Sequence, residues 1–233
     1  MNIVITGASK GIGKAIAEKF AGGGYSLFLC ARHEAPLAEL AAQILAEHPR
    51  IKVHYKTCDV SKKGDVKAFA DFILKEDAHA DILVNNAGAF QPGHVHEEEL
   101  GMLEEMMQTN VYSAYYLSRF LLPAMMKRKQ GHIFNICSIA ALHAYEQGGS
   151  YSITKYALDG LSVNLRHEMK GYGIKVTAVY PGAAYTDSWS SSGVSPDRIM
   201  TAGDIADMIY ASARLSPQAC VEEIVIRPQL GDL

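Results

Sequence analysis

The sequence predicts an α/β fold, a doubly wound and mostly parallel sheet of about seven strands with helices on both faces. Two observations carry this expectation. Short apolar, β-branched runs alternate with longer helical ones along the whole chain, and such alternation implies right-handed crossovers between parallel strands. The apolar runs also hold few internal charges, as strands covered on both faces should. Strands are expected at Asn2–Thr6, Ser26–Ala31, Ile51–Thr57, Ile82–Asn85, His132–Cys137, Lys175–Tyr180 and Val221–Arg227. Helices are expected at Ile12–Ala21, Ala35–Glu47, Lys63–Leu74, Glu98–Lys129, Tyr151–Lys170 and Asp204–Leu215.

A chain of 233 residues has the length of one domain, so residues 1–233 are expected to form a single unit that needs neither disulfide nor metal to fold. The polar stretch from Gly182 to Gly203 is expected to be a mobile loop rather than a boundary. A net charge of -3 gives no basic field for nucleic acid and no polybasic membrane anchor. No apolar run reaches the ~18 residues of a membrane helix. Met1 leads directly into a buried strand pattern without a leader-like segment, so a cytoplasmic protein is expected. Cys30, Cys58, Cys137 and Cys220 form no C-x-x-C pair and read as free thiols of a reducing compartment.

Between the first strand and first helix lies Thr6-Gly7-Ala8-Ser9-Lys10-Gly11-Ile12-Gly13. Glycines allow a tight turn and let backbone N–H groups approach a pyrophosphate, while the following helix offers its positive end. The position, more than the glycines themselves, points to a Rossmann-like dinucleotide site. Dinucleotide choice is written at the end of the second strand. NAD sites place a carboxylate there to hold the ribose 2′-hydroxyl. This strand ends in Ala31-Arg32, and a guanidinium suits a 2′-phosphate, with Lys10 as a second cation. NADP(H) is therefore the expected cofactor; Glu34 keeps an NAD role open.

Tyr151 and Lys155 stand four residues apart, on one face of an expected helix. A phenol is a poor acid at neutral pH, and a nearby ammonium favours its ionised form. By itself the pair is equally an amphipathic helix face. Ser138 gives it context, because it follows a strand at the carboxyl edge, where open α/β sheets bind ligands. Its hydroxyl is suited to bonding a carbonyl oxygen as charge develops there. Asn110 interrupts the long helix Glu98–Lys129, a placement that suggests it holds a water or a backbone group.

Together these residues resemble the short-chain dehydrogenase/reductase family, in its short single-domain form, over essentially the whole chain. Thr6 through Gly13 resembles the glycine turn, with Gly7, Ser9, Lys10, Gly11, Ile12 and Gly13 at the phosphates. Cys58-Asp59-Val60 is similar to the segment after the third strand, and the resemblance puts Asp59 and Val60 beside the adenine. Asn85-Asn86-Ala87-Gly88 is similar to the family's fourth-strand motif, and Pro181-Gly182 with Thr186 to the turn against the nicotinamide. Asn110, Ser138, Tyr151 and Lys155 fall where a catalytic tetrad would lie. The resemblance implies that Tyr151 protonates a carbonyl oxygen and Ser138 polarises it. It further implies that Lys155 supports Tyr151 and the ribose, and that Asn110 supports a proton relay. It also implies a homodimer or homotetramer.

For the substrate pocket the sequence nominates Leu142, Tyr145, Tyr185 and the only tryptophan, Trp189, with Phe90, His143 and Gln147 nearby. Such a wall suits a flat or apolar carbonyl compound. The general pattern is similar to 3-oxoacyl-carrier-protein reductases, and the tail from Pro181 to Trp189 and Val221 to Leu233 is similar to bacterial sepiapterin reductases. His94-x-His96 with Glu97, Glu98 and Glu99 reads as an acidic helix start rather than a metal site. Tyr112, Tyr115, Tyr116 and Phe120 form a stripe that is either core or a helix–helix interface. Two other classes compete: a catalytically silent NADP sensor, and an extended sugar-nucleotide epimerase, which would need a larger substrate domain.

Overall fold

A computed structural model describes residues 1–75, 79–186 and 193–232. The strands are β1 (Asn2–Thr6), β2 (Ser26–Ala31), β3 (Val53–Thr57), β4 (Ile82–Asn85), β5 (Gly131–Ile136), β6 (Ile174–Pro181), β7 (Ala184–Tyr185), β8 (Met200–Thr201) and β9 (Glu223–Ile226). Seven of them form one sheet in the order β3-β2-β1-β4-β5-β6-β9, parallel throughout. The helices are α1 (Gly11–Gly22), α2 (Glu34–Glu47), α3 (Lys63–Lys75), α4 (Met102–Met107), α5 (Ser113–Arg128), α6 (Gly149–Met169) and α7 (Ala202–Ala213).

Alternation along each strand sends neighbouring side chains to opposite faces. In β1, Ile3 and Ile5 pack on one side with Leu27, Leu29, Val84 and the apolar stripes of α1, α2 and α7. Val4 faces the other side with Phe28, Leu83, Ile133 and the stripes of α3, α5 and α6. Both layers are closed, which explains the near-continuous apolar runs read in the strands. Cys30, Cys58 and Cys137 are buried free thiols within this scheme, whereas Cys220 is exposed.

Strand order reverses between β1 and β4, because β1 continues outward to β2 while β4 continues to β5. A reversal of this kind leaves a crevice at the carboxyl ends of the strands. The glycine turn after β1, Asn86 after β4, Ser138 after β5 and Gly182 after β6 all open onto that edge.

Most expected elements shift only at their ends, β3 starting at Val53 and β9 spanning Glu223–Ile226. One expectation fails more deeply. Glu98–Lys129 is not a single helix. Gly101, at φ +100, starts α4, and a π-turn over Gln108–Tyr112 separates α4 from α5. The apolar periodicity runs through this break, since a π-turn adds one residue without ending the helix. Within the stretch from Gly182 to Gly203, Ala184–Tyr185 pairs in parallel with Met200–Thr201. The tyrosine stripe divides as well. Tyr112 and Tyr115 are exposed, while Tyr116 and Phe120 lie under Lys63 and Lys67, with Lys63 Nζ 4.7 Å from the Tyr116 ring centre. Among the described residues no helix is long and apolar enough to cross a membrane.

Candidate active site

The glycine turn is fixed by backbone geometry. Gly7 (φ +65) and Gly11 (φ +54) occupy the left-handed region, where a side chain would be strained. A methyl on Gly13 would collide with the Gly7 carbonyl and stand 2.6 Å from Asn86 Nδ2. Asn86 in turn donates to the Thr6 carbonyl at 2.9 Å and to the Gly7 carbonyl at 3.1 Å. The Thr6 hydroxyl accepts from the N–H groups of Asn86 and Ala87, each at 3.0 Å. Thr6 thus staples the fourth-strand motif to the phosphate turn. Nothing in the sequence announced that role, because a threonine ending a strand is ordinary.

Helix α1 begins with Lys10 as N-cap and has neither a side-chain cap nor an acidic residue in its first turn. The start of this helix lies at the crevice, and among the described residues no side chain caps its first N–H groups. Arg32 is exposed just past β2. Asp59, past β3, accepts from the Ser61 hydroxyl at 2.7 Å and the Ser61 N–H at 3.1 Å, and these bonds hold its carboxyl below the usual range despite partial burial. Val60 is half-buried beside it. Thr186 lies against the turn, its methyl 3.1 Å from where a Gly11 side chain would begin. Gly182 follows Pro181 and donates to the Ile226 carbonyl at 2.8 Å, tying the end of β6 to β9.

The second half of the site is built on α6. Lys155 is only 5% exposed, and its ammonium donates to the Ile136 carbonyl at 2.9 Å. That bond aims it at Tyr151, whose ring centre is 5.5 Å away. Ser138 has an extended backbone, and its Oγ accepts from Ala140 N–H at 3.1 Å, capping the short turn Ile139–Ala141. The serine proton remains for another acceptor. Asn110 sits in the π-turn, almost wholly buried. Its Oδ1 accepts from Ala89 N–H at 2.7 Å, and its Nδ2 donates to the Ala89 carbonyl at 2.9 Å and to Thr154 Oγ1 at 2.9 Å. Of the two partners anticipated for Asn110, the backbone group is the one found. Both amide hydrogens are committed, so this side chain acts by pinning the chain segment after β4 to the π-turn and α6.

On the solvent side, Phe90 meets Tyr151 edge-on at 4.8 Å between ring centres. Tyr145 stands close enough to Tyr151 to feel its charge, and burial pushes its phenol up to about 12. Leu142 is half-buried beside Ala141, and Tyr185 is 38% exposed. Trp189 lies outside the described residues. The rings of His94 and His96 are 5.8 Å apart, and no metal-holding trio of His, Cys, Asp or Glu converges among the described residues.

A parallel sheet in this order, with a glycine turn at its reversal point and a Tyr-x-x-x-Lys helix facing it, defines a dinucleotide-dependent oxidoreductase. The chain belongs to the short-chain dehydrogenase family, whose pattern matches residues 1–195. It is 31% identical to a sepiapterin reductase of Chlorobaculum tepidum, over 99% of this chain and 97% of that protein. The fold is similar to that of an alcohol dehydrogenase from the archaeon Thermococcus sibiricus complexed with 5-hydroxy-NADP (TM-score 0.90, 27% identity, 98% of this chain and 96% of the other). It is also similar to L-sorbose reductase from Gluconobacter frateurii complexed with NADPH and L-sorbose (TM-score 0.88, 27% identity, 97% and 94% covered).

Proposed function

We propose that this protein is a cytoplasmic, NADP(H)-dependent carbonyl reductase in which Tyr151 delivers the proton. The observation that carries the reading is the buried Lys155 ammonium, fixed on the Ile136 carbonyl and directed at the Tyr151 ring. The cradle fits the cofactor: Gly13 has no room for a methyl, and the start of α1 has no side-chain cap of its own. Structural relatives complexed with NADPH and 5-hydroxy-NADP add weight, as does Arg32 at the tip of β2.

With a nicotinamide cofactor bound there, the hydride would come from it. The protein's groups handle the oxygen. Ser138 donates a hydrogen bond from its hydroxyl to the carbonyl oxygen as negative charge builds. Tyr151 transfers its phenolic proton to that oxygen, and Lys155 places a positive charge beside the resulting phenolate. Asn110 contributes by holding Ala89, and through it the chain leading to Phe90, against α6. The substrate is a flat ketone received between Phe90, Leu142, Tyr145 and Tyr185. A pterin side-chain ketone, as the 31% identical sepiapterin reductase suggests, ranks ahead of an acyl thioester. The protein works as a homodimer or homotetramer. Support comes from the exposed Tyr112 and Tyr115, which with Val111, Tyr116 and Leu161 line an apolar groove of about 220 Å3.

NADPH oxidation with sepiapterin and with acetoacetyl thioesters tests the substrate, and Tyr151→Phe tests the chemistry. The variant is expected to lose about a thousandfold in kcat/KM while keeping NADPH affinity. Intact turnover by that variant would remove the proton donor and the reading with it.

A further inference from the structure

Helix α6 starts with two glycines. Its N-cap, Gly148, has no side chain to offer, and Gly149 follows at φ +36. A helix start leaves N–H groups without intrahelical partners, and here they open one residue before Tyr151. The cap is instead delivered from 52 residues upstream. Glu98 Oε1 accepts from the Ser150 N–H at 2.8 Å, and Glu98 Oε2 accepts from the Ser150 hydroxyl. Gly149 and Gly93 make room for the carboxylate. A methyl on Gly149 would strike Glu98 Oε1, and one on Gly93 would stand 2.7 Å from Glu98 Cγ.

Two further contacts bind the same segment to the start of α6 and the turn just before it. Gly93 N–H donates to the Gln147 carbonyl at 3.0 Å, and Phe90 sets its ring edge-on to Tyr151 at 4.8 Å. The segment from Phe90 to Glu98 is thus pinned at Gln147, Ser150 and Tyr151. A carboxylate also suits the positive end of a helix, so the borrowed cap is electrostatically favourable.

We infer that Glu98 is a positioning residue: by capping α6 from the substrate-side segment, it couples closure of that wall to the orientation of the Tyr151 phenol. The inference rests on the reductase reading above. Glu98 touches no reacting atom. Its loss should therefore lower turnover without weakening the cofactor, whose turn lies on another element.

The test compares Glu98→Ala, Glu98→Gln and Ser150→Ala in the NADPH-bound enzyme, with the ketone that the parent turns over best. E98A is expected to lose about tenfold or more in kcat, through misorientation of the proton donor. NADPH affinity should stay within about twofold of the parent. E98Q should recover most of the loss, because its amide oxygen still accepts from the Ser150 N–H. S150A, which removes only the hydroxyl, should fall between parent and E98A, and it carries the test if E98A does not fold. Hydrogen–deuterium exchange, which needs no turnover, should rise in E98A at Ser150 and across residues 89–98. An active parent with E98A turnover within about twofold would overturn the positioning role alone. Parallel loss of NADPH affinity and kcat in E98A, unrescued by E98Q, would reduce Glu98 to a general structural residue. A parent inactive on every carbonyl would overturn the reductase reading instead, and the exchange data would still say whether Glu98 caps α6.

Discussion

The two halves of the crevice are held by different means. Around the phosphate turn, position is set by backbone: left-handed Gly7 and Gly11, a Gly13 with no space for a methyl, and carbonyls bonded by Asn86. Around Tyr151, position is set by side chains brought from far along the chain. Asn110 reaches Ala89 and Thr154, Glu98 reaches Ser150, and Lys155 reaches the Ile136 carbonyl. The first arrangement tolerates no added atom and needs few particular side chains. The second tolerates change at its surface but depends on each buried polar contact. Binding one constant dinucleotide calls for the first, and adapting one chemistry to many ketones is served by the second.

If that contrast is right, the largest effect on cofactor binding comes from adding one methyl to the rigid half. Gly13→Ala should weaken NADPH binding by about a hundredfold, close to 3 kcal/mol, measured by fluorescence titration. Full NADPH affinity in that variant would show that the turn yields after all and would break the comparison. The next effect belongs to the side-chain half. Asn110→Ala removes three hydrogen bonds between the π-turn, the chain after β4 and α6. A loss of about 2 kcal/mol in urea unfolding is expected, since Ala89 is exposed and water can replace part of what is removed. Its NADPH affinity should change far less than that of Gly13→Ala.

The same contrast decides what the sequence revealed. The seven sheet strands and their helices were legible because doubly covered strands and amphipathic helices leave local patterns, and most boundaries moved only slightly. The phosphate turn was legible because glycine is the residue that backbone crowding demands. Tyr151 and Lys155 were legible through their shared helix face. The π-turn at Asn110 was not, since it is stabilised by Ala89, 21 residues away, while the local periodicity reads as one helix. Glu98 looked like a helix-start acid, and its actual partner lies 52 residues on. The ribbon of β7 and β8, two residues per strand, is too short to leave any pattern.

Arg32 tests the boundary between the halves, being a side-chain contact on the backbone-built side. Arg32→Ala should raise the dissociation constant for NADPH about tenfold, because an exposed guanidinium–phosphate pair is partly screened by solvent. NADH affinity should barely move. An equal loss for both cofactors would mean that Arg32 supports the fold of the β2 tip and does not read the 2′-phosphate.

The smallest effect separates two neighbouring phenols. Burial holds Tyr145 up at about 12, with the Tyr151 charge adding to the shift, so the Tyr145 phenol stays protonated across the range in which the enzyme can be assayed. A raised acid pKa means that any stabilisation from the neutral phenol is present below pH 10 and is lost only as pH climbs towards 12. Tyr145 therefore serves the wall as a neutral hydrogen-bonding ring, and Tyr145→Phe should change KM by only about two- to fivefold. Tyr145→Phe should leave kcat close to that of the parent, in contrast to the collapse in Tyr151→Phe. If kcat collapsed with Tyr145 instead, the proton would come from the surface ring, and the buried Lys155 would be serving α6 rather than the reaction.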